Sequence, residues 1–137
     1  MRSLSFLIPA AALAACSTAP QPSQYNARSE AKLQQLLAGK VAGKAQDCLP
    51  NYRTEDMVRI DDDTVLFREG SRRIYRNELN GSCHGLGSDN YALVTKNFGS
   101  NGRLCRGDIA RVVDLTNGIP VGSCSLGDFI PYTAPRS

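Results

Sequence analysis

The chain has 137 residues, with 16 basic and 13 acidic side chains, one His and no Trp, which is enough for one small domain. A formal net charge of +3 is too balanced for a nucleic-acid partner, which would want a strongly basic face. A domain of this size buries a limited core and often needs covalent support.

Arg2 opens the chain, and residues 4–15 form an uncharged apolar run that closes on small residues. The run is too short to cross a bilayer as a helix, which takes about 20 residues. Residues 1–15 have the layout of a signal peptide. Leu13-Ala14-Ala15-Cys16 resembles the bacterial lipobox. That resemblance implies cleavage before Cys16, a diacylglyceryl group on its thiol and attachment to a membrane through that lipid. Ser17 rather than Asp at the next position implies the outer membrane, on its periplasmic face. Buried methylenes contribute about 0.8 kcal/mol each, so several acyl chains anchor stably where one does not. The competing reading is an ordinary secreted protein cut at Ala-x-Ala with a stray Cys.

Residues 16–46 read as the lipidated Cys, a spacer and a short helix. Pro20, Pro22, Ser and Gln make the spacer flexible and partly extended. Residues 27–38 carry Leu33, Leu36 and Leu37 on one helical face, with Gly39 and Gly43 as stops. Such a helix is marginal alone and is expected to dock its leucines on the domain. Residues 47–137 then read as short strands broken by turn residues. The expected strands are residues 57–60, 64–69, 72–79, 91–96, 109–115 and 119–124. The segment 109–115 is the most apolar, and Pro120 belongs at an edge or bulge. The fold class expected is mainly β: a small antiparallel domain with two disulfides and a short N-terminal helix.

Gly70-Ser71 suits a two-residue hairpin turn. That register pairs Glu69 with Arg72, Phe67 with Ile74 and Leu66 with Tyr75, and it sets Arg68 opposite Arg73.

Processing would leave four cysteines, Cys48, Cys83, Cys105 and Cys124, an even number in an oxidising compartment. Two disulfides are expected. The close Cys-x-x-Cys pairs of zinc, redox and haem sites are missing from the sequence. If Asn117-Gly118 makes a two-residue turn, Cys124 faces Arg111. Cys105 then lies about 20 Å further along at roughly 3.3 Å per residue, beyond the reach of a disulfide. This argues against Cys105–Cys124, and with it Cys48–Cys83. Two pairings stay open. The one expected is Cys48–Cys124 clasping the domain ends, with Cys83–Cys105 nested inside.

Several spaced elements look familiar together. They are Gly39-Lys40-Val41-Ala42-Gly43, Cys48-Leu49-Pro50, residues 60–67 (Ile-Asp-Asp-Asp-Thr-Val-Leu-Phe), residues 74–79 (Ile-Tyr-Arg-Asn-Glu-Leu), Cys83 with Gly85-Leu86, Leu104-Cys105 with Asp108-Ile109, and residues 124–129 (Cys-Ser-Leu-Gly-Asp-Phe). Over residues 36–131 the chain resembles a family of uncharacterised small proteobacterial lipoproteins. The resemblance implies a disulfide-bearing exported domain and carries over no activity, ligand or catalytic residue. Members usually have Pro where this chain has His84, which implies that His84 is not an essential base.

Asp61-Asp62-Asp63 offers oxygen ligands for a hard cation, but it lacks the spaced pattern of an EF-hand and reads as a hairpin turn. No metal site and no cofactor are expected. Arg106-Gly107-Asp108 matches the integrin tripeptide by coincidence. His84 is the one conventional base at neutral pH, and its neighbour Cys83 is expected to be oxidised. No nucleophile elbow or phosphate loop stands out, so the chain is read as no enzyme. The facing Arg68 and Arg73, with Tyr75 beside them, are either a solvated face or an anion site, since guanidinium groups fork onto carboxylate or phosphate.

The expected role is a non-catalytic envelope module that binds a protein, peptidoglycan or a lipid headgroup, or serves structurally. The alternative is a periplasmic inhibitor of a cell-wall hydrolase, with residues 97–103 as the plugging loop. A weak hydrolase is a third reading.

Overall fold

The computed structural model describes residues 24–49, 57–81, 83–96 and 102–136. The signal segment and Cys16 lie outside the described residues. The elements in chain order are α1 (Gln24–Leu37), β1 (Val41–Ala42), β2 (Met57–Arg59), β3 (Thr64–Glu69), β4 (Arg73–Glu78), β5 (Tyr91–Lys96), β6 (Ile109–Asp114), β7 (Pro120–Ser125) and β8 (Phe129–Thr133). The protein is mainly β. A five-stranded sheet in the order β1-β8-β4-β3-β2 packs on a three-stranded sheet, β5-β6-β7, and every strand pairing is antiparallel.

Alternation along β3 and β4 builds three layers. Val65, Phe67 and Tyr75 point inward and join Leu93, Ala110, Val112 and Phe129 in the core between the sheets. Leu66 and Ile74 point the other way. With Ile60 they receive Leu33 of α1, flanked by Leu36 and Leu37. The helix therefore docks its leucines as the spacing predicts: Leu33 is buried, a contribution of about 1.5–3 kcal/mol, and Leu36 and Leu37 are half-buried beside it. Gly39, with φ +71°, follows its end. β1, inside the segment read as spacer and helix, is an edge of the larger sheet.

Both disulfides form, with a different pairing from the one expected: Cys48–Cys105 and Cys83–Cys124. This is the other of the two pairings left open, and Cys105–Cys124 does not form; the physical reasons are the face Cys124 takes and the chain that runs beside Cys105. β6 and β7 set Cys124 opposite Ala110, not Arg111, and a bulge separates Val112 from Val113 in the ladder. A one-residue slip turns a side chain to the other face of a sheet. Cys124 therefore points into the core, where Cys83 lies after β4. Residues 47–49 run antiparallel beside 104–106: Leu49 N–H donates to Leu104 O and Arg106 N–H to Asp47 O. Cys48 is brought directly against Cys105 by that pairing.

The turn between β3 and β4 likewise takes three residues, so Glu69 faces Arg73, Phe67 faces Tyr75 and Leu66 faces Arg76. Pro120 opens β7, an edge strand, at the bulge, as expected. Two strands, β1 and β8, were not anticipated.

Candidate functional site

The slip at the first hairpin undoes the paired-arginine site. Arg68 stands opposite Ile74 and Arg73 opposite Glu69, so the two arginines point to opposite faces. Arg73 lies 3.8 Å from the Glu69 carboxylate and donates from Nε to Thr133 Oγ1 at 3.2 Å. Tyr75 shares the face of Arg73 but is 1% exposed. Its hydroxyl is the one buried side-chain polar atom among the described residues with no hydrogen-bond partner. Burial raises the Tyr75 pKa above 10.0, ahead of a lowering pull from Arg73 and a raising one from Glu69.

The other sequence motifs are spent on structure. Asp61 Oδ1 accepts the N–H groups of Asp63 and Thr64 at 2.9 and 2.7 Å, and Asp62 Oδ1 accepts Gly87 N–H at 2.9 Å. The acidic run is thus an Asx turn that also ties down the 84–90 loop. Asp108 is buried and accepts Cys105 N–H at 2.7 Å. Arg106 pairs with Asp128 at 3.1 Å and Asp47 at 3.5 Å. The Arg-Gly-Asp tripeptide thus braces the entry to β6. His84 is exposed, and Cys83 beside it is disulfide-bonded. No group of three His, Cys, Asp or Glu able to hold a metal occurs among the described residues. Of the proposed inhibitory loop, residues 97–101 lie outside the described residues.

A cleft of about 640 Å³ opens between α1 and β2, lined by Arg28, Ser29, Lys32, residues 57–60 and residues 87–89. Its cations are largely committed. The Arg59 guanidinium donates to the carbonyls of Ser88 (2.8 Å), Leu86 (3.4 Å) and Tyr91. Lys32 Nζ donates to Arg59 O at 2.9 Å, covering one open carbonyl of the edge strand, a common protection of sheet edges. Arg28 alone of the three has no partner among the described residues.

The outer face of the three-stranded sheet is different. β6 alternates cleanly, with Ala110 and Val112 buried and Ile109 and Arg111 exposed. Val94 stands opposite Arg111, and Lys96 opposite Ile109. Val94, Ile109 and Val121, with Leu115 and Ile119 at the β6–β7 turn, are between 37% and 62% exposed. Among the described residues, these are all the large exposed hydrophobics except Val41. Lys96 and Arg111 are exposed beside them with no ion pair among the described residues.

In comparisons with protein-family models, curated proteins and solved structures, the chain matches none.

Proposed function

We propose that the chain is an exported lipoprotein, tethered through Cys16 to the periplasmic face of the outer membrane, whose folded part is a non-catalytic binding or structural module. The observation that carries this reading is the pair of interlocked disulfides behind a signal-like start. Cys48–Cys105 and Cys83–Cys124 link residues 57 and 41 apart in sequence. Such bonds form and persist in oxidising compartments, the environment that a signal peptide and lipobox would deliver. The side chains that sequence offered as chemical, Asp61, Asp62, Asp108 and Arg106, are engaged in turns and ion pairs, which favours a module that holds a surface. Cys16→Ser is expected to block maturation and leave uncleaved precursor in the membrane fraction. A normally processed, soluble product from that variant would overturn the tether.

A further inference from the structure

An antiparallel sheet with one face on the core usually turns polar residues outward. β5, β6 and β7 depart from this. Scattered exposed apolar side chains are ordinary on a protein surface, but here they are gathered. Five of the six large exposed hydrophobics among the described residues sit on this sheet and its β6–β7 turn. Val94, Ile109 and Val121 are β-branched, which suits a strand, yet strand preference does not account for Leu115 and Ile119 in or beside the turn.

Charge narrows what could cover the face. Its ionisable side chains are Lys96 and Arg111, and none of the outward positions of the three strands is acidic. The two acids that border β6 are turned away or committed: Asp114 alternates to the inward side and its Oδ1 accepts Thr116 N–H at 2.7 Å, and Asp108 is buried and accepts Cys105 N–H. A second copy in two-fold contact would bring the same two cations together with no acid to answer them. A surface carrying phosphate charge above acyl chains answers both components, because binding of an amphipathic cationic face grows with buried apolar area and with attraction to anionic lipid.

We propose that the outer face of β5-β6-β7 docks on an anionic phospholipid surface, with Lys96 and Arg111 at the headgroup phosphates and Val94, Ile109, Val121, Leu115 and Ile119 against the acyl boundary. The proposal takes the nearness of a bilayer from the tethered reading. In the docked state the domain lies down on its own membrane, and the helix side of the larger sheet faces away from it.

The test uses residues 16–137 carrying Cys16→Ser, so that no acyl chain contributes. The probe is co-sedimentation with vesicles of phosphatidylglycerol in phosphatidylcholine. Binding is expected to anionic vesicles and not to pure phosphatidylcholine, and to fall with added salt. Lys96→Ser with Arg111→Ser should weaken it by about 30-fold, from the usual contribution of a cation near an anionic membrane. Val94→Ser with Ile109→Ser and Val121→Ser should weaken it by about tenfold or more. Arg28→Ser with Arg68→Ser, an equal loss of charge on the helix side, should leave it within about threefold. Unchanged disulfides and thermal midpoint would show that each variant is folded. An acyl-free chain that ignores anionic vesicles, or a helix-side variant that loses as much as the sheet-face one, would overturn the proposal. Lipidation of Cys16 is read separately: its failure would remove the tether while leaving vesicle binding to be judged on its own.

Discussion

Asn77 and Tyr75 are both buried on β4, and they do opposite things to stability. Asn77 donates from Nδ2 to Gly127 O at 2.8 Å and accepts Gly127 N–H through Oδ1 at 2.9 Å. This reciprocal pair fixes the corner where β7 passes to β8. The corner must be glycine, because a Cβ on Gly127 would overlap the Glu78 carbonyl oxygen. Asn77→Ala would leave both backbone groups of Gly127 buried and unpaired, and should cost about 3 kcal/mol in urea unfolding. The Tyr75 hydroxyl is itself the unpaired group. Tyr75→Phe should therefore leave stability unchanged or raise it by up to about 1 kcal/mol. The two proteins should also differ in alkali. A raised native pKa means that the native state holds the phenol proton more tightly. That contribution is complete below pH 10.0 and is lost as pH climbs through the raised native value. Unfolding measured from pH 8 upward should fall less steeply in the Phe variant; identical slopes would remove Tyr75 as the cause. Neither residue announced its role in the sequence: a polar side chain amid strand residues has no local signature of its partner fifty positions away.

At the scale of elements, the strands were legible wherever side-chain alternation was strong. Residues 64–69 and 91–96 emerge with the expected bounds. What failed at the hairpins was turn length. Gly70-Ser71 and Asn117-Gly118 both read as two-residue turns, yet Arg72 joins the first turn, and residues 115–118 with a bulge make up the second. The slip separated Arg68 from Arg73, so the anion site was misread; the disulfide pairing was missed for another reason, because spacing alone left two pairings open and nothing local showed residues 47–49 running beside 104–106. β8 escaped notice because Pro131 argues against a strand that is not at an edge. It is accommodated because its carbonyl, and with it the missing N–H side, faces β1, which stops at Ala42. There Gly43 N–H donates to Pro131 O at 2.7 Å. Peptide mapping under acid should recover Cys48 joined to Cys105 and Cys83 joined to Cys124. On the chain-entropy account each bond contributes about 4 kcal/mol for loops of this length. Cys83→Ser with Cys124→Ser should lower stability by that order, and a recovered Cys48–Cys124 peptide would contradict the register itself.

For the whole molecule, helix, five-stranded sheet and three-stranded sheet form three layers with two cores. The outer layers present different surfaces: a charged helix beside a small cleft, and an apolar sheet face with two uncommitted cations. Composition could not reveal that asymmetry, because the exposed valines and the buried ones are alike until register assigns them a face. Where this domain is held decides what its surfaces can meet. The most direct measurement is the intact mass of the native protein extracted from membranes without reductant. The expected species is a chain that begins at Cys16, carries acyl groups on that residue and has all four remaining cysteines oxidised. A chain that retains residues 1–15, or one that begins elsewhere without lipid, would contradict it.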